Sequence, residues 1–133
     1  EGLAAAMAAK KMTDEEKKTL VESVELAEFY IQKNDTEKLK ELDTSFHGAI
    51  YRASGSRILC KILSELHRNI KAYRKLSLTV PGRLEKSVEE HREITDAILR
   101  SGAEEADRLT SLHVERALAN LLIATKTGDT EEN

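Results

Sequence analysis

The sequence predicts an all-α fold, built as a six-helix antiparallel bundle. Apolar residues recur at helical spacing in six segments, and no window shows the alternation of a β-strand. Charged residues make up 34% of the chain and aromatic residues only 4%, with one proline, which is a composition typical of amphipathic helices. The 133 residues suit one core, so we expect a single domain over residues 1–133.

Capping and breaking residues set the limits of the six helices. Thr13 opens a capping-box pattern before the second helix, and Asn34-Asp35 separates the second helix from the third. Pro81 suits the first turn of the fifth helix, and Gly102 suits its C-terminal cap. From these signals the helices cover about residues 2–11, 13–33, 36–53, 56–78, 81–102 and 103–126.

Charge and cysteine content exclude several classes of protein. The net charge is −3 with interspersed signs, so the segment itself lacks the basic excess that grips nucleic acid. Cys60 is the only cysteine, which excludes a disulfide framework and a thiolate cluster and favours a reducing compartment. No stretch approaches the roughly 18 apolar residues of a membrane helix. A cytoplasmic protein without a membrane partner is therefore predicted.

Four ionisable side chains fall on or beside the apolar stripes of three helices, at 100° per residue. Asp43 lies within the stripe of the third helix and His47 borders it one turn on. His91 and His113 lie within the stripes of the fifth and sixth helices. Each alone is explained by a hydrogen-bonded core residue. Together they also fit one shared site, and the pattern leaves both interpretations open.

Imidazole nitrogens and one carboxylate are ligands that suit zinc, nickel, iron(II) or manganese. The absence of thiolates argues against a closed structural zinc site. Three neutral histidines and one carboxylate leave a divalent ion with a net charge of +1. A centre of this kind would attract a small anion, most naturally a carboxylate.

Four further residues are candidates for contacting such an anion. Asn69 interrupts an apolar arc of the fourth helix, so we expect it to face the cavity, although a buried amide satisfied by backbone is an equal alternative. Arg74 and Arg116 can each form bidentate hydrogen bonds to a ligand carboxylate, or each can pair with a neighbouring glutamate. Asn120 can contact a ligand or support His113.

The ordered motifs resemble one family, the FCD domain, which is the C-terminal effector-binding half of the FadR subfamily of GntR transcription regulators. The resemblance lies in the run Leu42-Asp43-Thr44-Ser45-Phe46-His47, followed by residues 51–56, then residues 81–83, residues 90–94 and the His113 helix. It covers nearly the whole chain. The six helices match the shorter-bundle branch of the family.

The resemblance implies a function as well as a fold. It assigns divalent-metal binding to Asp43, His47, His91 and His113, in a bundle that encloses a metal and ligand cavity. It implies a domain that is not an enzyme, binds a small carboxylate and forms a homodimer. DNA binding would belong to an N-terminal winged helix-turn-helix domain. The chain starts without methionine or such a domain, so we expect it to be a fragment.

Two other classes of protein are alternatives to this interpretation. A metal-dependent hydrolase needs a second inward acid as base, and the stripes show none. The ferritin-like pattern needs Glu-x-x-His, but Val88 stands three residues before His91. The other class is a dimerisation module without metal. Leu118, Leu121 and Leu122 lie outside the main stripe of the last helix and suggest a second buried surface.

Overall fold

A computed structural model of the chain describes the backbone of residues 1–131 and the side chains of residues 1–126, and all regular secondary structure in that part is α-helical. The helices are α1 (Gly2–Lys11), α2 (Asp14–Lys33), α3 (Thr36–Ala53), α4 (Arg57–Ser77), α5 (Arg83–Leu99) and α6 (Ala103–Glu131). The prediction of a six-helix, all-α fold is confirmed. None of these described helices is long and apolar enough to cross a membrane.

The capping residues act as the sequence predicts at the start of α2 and between α2 and α3. The Thr13 hydroxyl accepts from the Glu16 amide at 3.2 Å, and the Glu16 carboxylate accepts from the Thr13 amide at 2.8 Å, which completes a capping box. Asn34 ends α2 in the left-handed conformation with φ 53°. The Asp35 carboxylate then accepts from the Lys38 amide and caps α3.

The limits of α5 and α6 differ from the prediction by a few residues. Pro81 lies in the turn before α5, which begins at Arg83 after Gly82. Gly82 has φ 77°, a conformation that a β carbon disfavours. After α5, Ser101 rather than Gly102 takes the left-handed conformation, with φ 56°. Helix α6 continues to Glu131, five residues past the predicted end.

Helix α1 is a small-residue helix enclosed by α3, α5 and α6. Ala4, Ala5 and Ala8 are fully buried. Small side chains allow neighbouring helix axes to come close, which buries the backbone of α1 without cavities. At Gly2 a β carbon would meet the ends of the Asp107 and Ser111 side chains on α6, which would have to move aside. The larger core residues pack around this helix: Leu20, Val24, Phe46, Ile50, Ile94 and Ile98.

Helix α4 is oriented differently from the prediction. The apolar arc that was expected to face inward is exposed: Ile58 (75%), Ile62 (49%), Leu66 (53%), Ile70 (40%) and Tyr73 (58%). The buried face of α4 instead carries Leu63, His67, Arg74 and Ser77. Polar residues can be buried here because Arg74 and His67 find partners on α3. The most apolar side of α4 is therefore left on the surface of the chain.

Candidate metal centre

The four predicted ligands meet at one point inside the bundle. Asp43 and His47 lie one turn apart on α3, His91 comes from α5 and His113 from α6. All four are buried, with at most 9% of each residue exposed. One donor atom from each lies within 4.8 Å of the other three. The structure thus brings together every residue of the predicted set.

The distances between the donor atoms suit a metal ion. The Nε2 atom of His113 lies 3.4 Å from Nε2 of His91 and 3.3 Å from Nε2 of His47. The Oδ1 atom of Asp43 lies 3.5 Å from Nε2 of His91 and 3.7 Å from Nε2 of His47. Ligands at about 2.0–2.1 Å around a tetrahedral ion are separated by about 3.3–3.4 Å. Four of the six donor pairs are close to this separation and all six lie within 4.8 Å, so the cluster could hold a divalent ion.

The charge states of three of the four ligands favour metal binding. Burial lowers the pKa of His91 well below its ordinary value, and the neighbouring His113 charge adds to this effect. Burial likewise lowers the pKa of His113, against the opposing influence of Glu90. Burial alone would raise the pKa of Asp43, but its interactions with His47 and the other nearby cationic groups keep it far below the ordinary value. Neutral imidazoles and an ionised carboxylate are the forms that bind metal, so Asp43, His91 and His113 are already in the required state. Burial and Arg74 would lower the pKa of His47, but Asp43 and Glu1 outweigh them and raise it, so His47 must release a proton when it binds metal.

Glu90 orients the His113 ring through Nδ1, the ring nitrogen that does not face the centre. The Nδ1 atom of His113 donates to Oε2 of Glu90 at 2.6 Å, which leaves Nε2 with its lone pair facing the centre. Arg83 donates to both Glu90 oxygens at 2.9 and 2.8 Å, and Arg116 donates at 3.0 Å. These bonds hold the pKa of Glu90 at about 2 although burial would raise it. Glu90 therefore remains a fixed anion that sets the tautomer of His113.

We expect the Glu90→Gln variant to bind metal about 10- to 100-fold more weakly, because a neutral amide is a poorer acceptor for the His113 ring. Isothermal titration calorimetry with zinc on the metal-free chain measures the change. The matched control is Glu89→Gln, since Glu89 has a side chain that is 63% exposed and pairs only with Lys86 among the described contacts. Equal zinc affinities for the two variants would contradict the role given to Glu90.

Arg74 and Glu1 complete the other side of the centre. Nη2 of Arg74 donates to Nε2 of His47 at 2.7 Å, and Nη1 of Arg74 donates to the Glu1 carboxylate at 3.0 Å. The second Glu1 oxygen lies 3.2 Å from Nδ1 of His47. The pKa of Glu1 is lowered because His47 and Arg74 outweigh the effect of burial. A guanidinium group thus stands beside the nitrogen that a metal would use.

The other three candidates for ligand contact lie elsewhere. Arg116 pairs with Glu90, as the simpler alternative predicted. Asn120 donates to the Arg116 carbonyl of its own helix at 2.8 Å. Asn69 is exposed, so the expectation that it faces the cavity is wrong, because that side of α4 is turned away from the bundle. Of the four, only Arg74 touches one of the predicted metal ligands in the described contacts.

Two acids at the centre, the buried Glu90 and the partly buried Glu1, are not among the predicted residues. Glu90 is 3% exposed, so the statement that no second acid lies inward is wrong. The signal was available, because Arg83 and Glu90 are seven residues apart and therefore share one face of α5. Glu1 precedes the first helix, where periodicity gives no indication of direction. Glu90 is held by two arginines and a histidine, so it is not placed as a free base for hydrolysis.

Comparison with known proteins agrees with this fold. A search of curated proteins gave no match. Among solved structures, E. coli McbR/YncC is similar at a TM-score of 0.77 and 21% identity, over 95% of this chain and 59% of that one. This chain therefore spans less than two thirds of that protein. The family model of the FCD domain matches residues 1–116. The chain belongs to the FCD domain family.

Proposed function

We propose that residues 1–133 form a metal-dependent sensing domain, which binds a small carboxylate and thereby controls DNA binding by a GntR-type regulator in the cytoplasm. The domain acts without catalysis. DNA contacts belong to an N-terminal winged helix-turn-helix domain outside these residues. The net charge of −3 supports this division, because the domain itself offers no basic excess to a phosphate backbone.

The position of Arg74 at the metal centre carries this proposal. Its guanidinium is 9% exposed and donates to the nitrogen of His47 that faces the other ligands. A metal ion on His47 takes that lone pair, so the guanidinium then needs another acceptor. A carboxylate between the metal and Arg74 provides one, since it binds both cations at once. We therefore expect the site to bind an anion only when metal is present.

Zinc is the metal we favour, with nickel, iron(II) and manganese as alternatives. Three imidazoles and one carboxylate suit each of these ions, and the donor spacing described above is close to that of a tetrahedral zinc site. Metals that accept more than four ligands leave positions free for the effector. Elemental analysis of the purified chain identifies the ion that it retains.

A combined experiment tests the sensing proposal. Elemental analysis should find about one divalent ion per chain, and a thermal-shift screen should find small carboxylic acids that raise the melting temperature Tm. The shift should disappear after chelation of the metal and return when metal is restored, because the carboxylate needs both the ion and Arg74. A metal-free preparation that cannot be loaded, or a carboxylate shift that survives chelation, would contradict the proposal.

We also propose that the domain forms a homodimer through the first half of α4. Ile58, Ile62 and Leu66 follow one another at four-residue spacing and are 75%, 49% and 53% exposed. A stripe of this kind on a single chain marks an interaction surface. A second copy is the simplest partner, since dimerisation is also what the family resemblance implies.

The Ile62→Asp variant should shift the chain from dimer to monomer, because a carboxylate in an apolar interface loses its hydration without a partner. Sedimentation velocity at micromolar concentration measures this shift. The control is Leu26→Asp on α2, where a leucine of similar exposure, 41%, lies away from α4. A wild-type monomer, or an Ile62 variant that remains dimeric, would contradict the assignment of the interface.

A further inference from the structure

We propose that the effector is an amphipathic monocarboxylate, with its carboxylate held by Arg74 beside the metal centre and its apolar body in the groove between α4 and α6. The inference rests on the proposed function and names the ligand class. Acids with a hydrocarbon body should fill the groove, whereas small polar acids would bind the metal equally well but leave the groove empty.

The groove between α4 and α6 has a volume of about 290 Å³, close to the lower limit of about 300–1,000 Å³ for ligand pockets. Its walls are mainly apolar, with Arg74 and Ser77 as the polar exceptions. The apolar lining residues are Ile70, Tyr73, Val114, Ala117, Leu118 and Leu121. Tyr73 and Leu118 are more than half exposed, so a hydrocarbon chain here would remove both ligand and protein surface from water.

The groove lies next to the metal centre, because the same residues line the groove and a cavity at the centre. Arg74, Ser77 and Ala117 line both the groove and a small inner cavity of about 10 Å³. The inner cavity is also lined by Asp43 and His113, which belong to the metal centre. A cavity of this size has room for about one water-sized group. A carboxylate bound to Arg74 at the wall of the groove could place one oxygen atom in this cavity, toward the metal centre, with its chain directed along the groove.

Donor groups without partners surround the inner cavity. The Nε atoms of Arg74 and Arg83 and the Oγ atom of Ser87 are buried without a hydrogen-bond partner among the described contacts, and all three residues line the cavity. A buried donor without an acceptor is costly. An anionic group supplies acceptor oxygens to such donors, whereas a neutral or cationic ligand does not. The head of the ligand is therefore assigned as an anion.

The body of the ligand is assigned from the groove walls. Hydroxyl groups of a polar acid would face the side chains of Val114, Leu118 and Leu121, which cannot accept or donate hydrogen bonds. Loss of hydration without new partners opposes binding of such acids. Hydrocarbon has no such cost, and each methylene placed in the groove favours binding.

A chain-length series tests the inference on the zinc-loaded chain. Thermal-shift titrations with acetate, butanoate and hexanoate give three dissociation constants. Each fully buried methylene should strengthen binding about fourfold, and hexanoate has four more methylenes than acetate. Hexanoate should therefore bind about 250-fold more tightly than acetate if the groove buries all four, and at least about sixteenfold more tightly if it buries two. Equal affinities for the three acids would overturn the inference while leaving carboxylate sensing intact. Binding of none of them would overturn both proposals.

Two variants locate the tail. Leu121→Ser places a hydroxyl in the groove, and the hexanoate-to-acetate affinity ratio should fall at least about fivefold, as expected for more than one methylene losing apolar contact. The control is Leu26→Ser, a half-exposed leucine on α2 outside the groove, for which the ratio should not change. An unchanged ratio in the Leu121 variant would overturn the inference. A Leu118→Asp variant that dissociates a dimer but leaves the hexanoate-to-acetate affinity ratio unchanged would also overturn the inference. That result would mean that a second copy of the chain occupies the groove.

Discussion

Replacing His91 by alanine should remove bound metal from the protein. His91 supplies one of three imidazole nitrogens that converge with the Asp43 carboxylate, and alanine has no donor to replace it. Loss of a supporting residue alone costs about 10- to 100-fold in metal affinity, so loss of a direct ligand should exceed about a hundredfold. Elemental analysis after dialysis and zinc titration calorimetry both measure this change. The carboxylate-dependent rise in Tm should disappear with the metal.

His67 provides the matched control for His91. It is also buried, at 7% exposed, and its ring centroid lies 5.8 Å from that of His47. Its Nδ1 atom, however, contacts the Tyr51 hydroxyl at 3.4 Å and does not join the metal cluster. His67→Ala should therefore retain the metal, even if it lowers Tm. Metal content that is unchanged in the His91 variant would contradict the proposed centre.

Replacing Phe46 by alanine should produce the largest loss of stability in the chain. Phe46 is 2% exposed and stacks on His91 with ring centroids 3.9 Å apart and an angle of 12° between the planes. A buried phenylalanine truncated to alanine costs about 3–5 kcal/mol through lost contacts and the cavity left behind. For a domain of this size, that should lower Tm by more than about 10 °C. Differential scanning calorimetry of the metal-free chain measures the shift.

Phe29 is the control for Phe46, because it is the other phenylalanine of the chain and is 50% exposed. It contacts the Tyr30 ring and lies under the Lys33 ammonium, so some stabilisation is lost with it. We expect Phe29→Ala to cost about 1 kcal/mol or less. Similar losses in the two variants would mean that the ring of Phe46 does not support the core beneath the metal centre.

Local signals in the sequence predicted the helices well, because they depend on neighbours in the chain. The Thr13 capping box and the Asn34-Asp35 break act through atoms at most four residues away. The orientation of α4 depends instead on distant partners. Its strong apolar arc indicates a surface that needs covering, but not whether the same chain or another molecule covers it. That is why the arc of Ile62 and Leu66 was assigned to the wrong side.

The candidate site was predictable where a polar residue stood within an otherwise apolar stripe. Asp43, His91 and His113 met that condition, and the family resemblance ordered them into one set with His47. The supporting residues escaped prediction because their burial depends on pairing. Glu90 is stabilised inside by Arg83 on the same helix, a pairing that the seven-residue spacing could have indicated, and by Arg116 on α6, a contact between helices that is visible only in three dimensions.

The packing of α1 against α6 has a consequence for biosynthesis. Helix α1 is synthesised before α6 but buries part of its surface against α6, and α1 also contacts α3 and α5. The metal centre likewise uses residues from His47 on α3 to His113 on α6. Domains tend to fold as units during synthesis, and here neither the core nor the centre is complete before α6 emerges. Until then, the apolar face of α1 must be shielded by chaperones or by the ribosome itself.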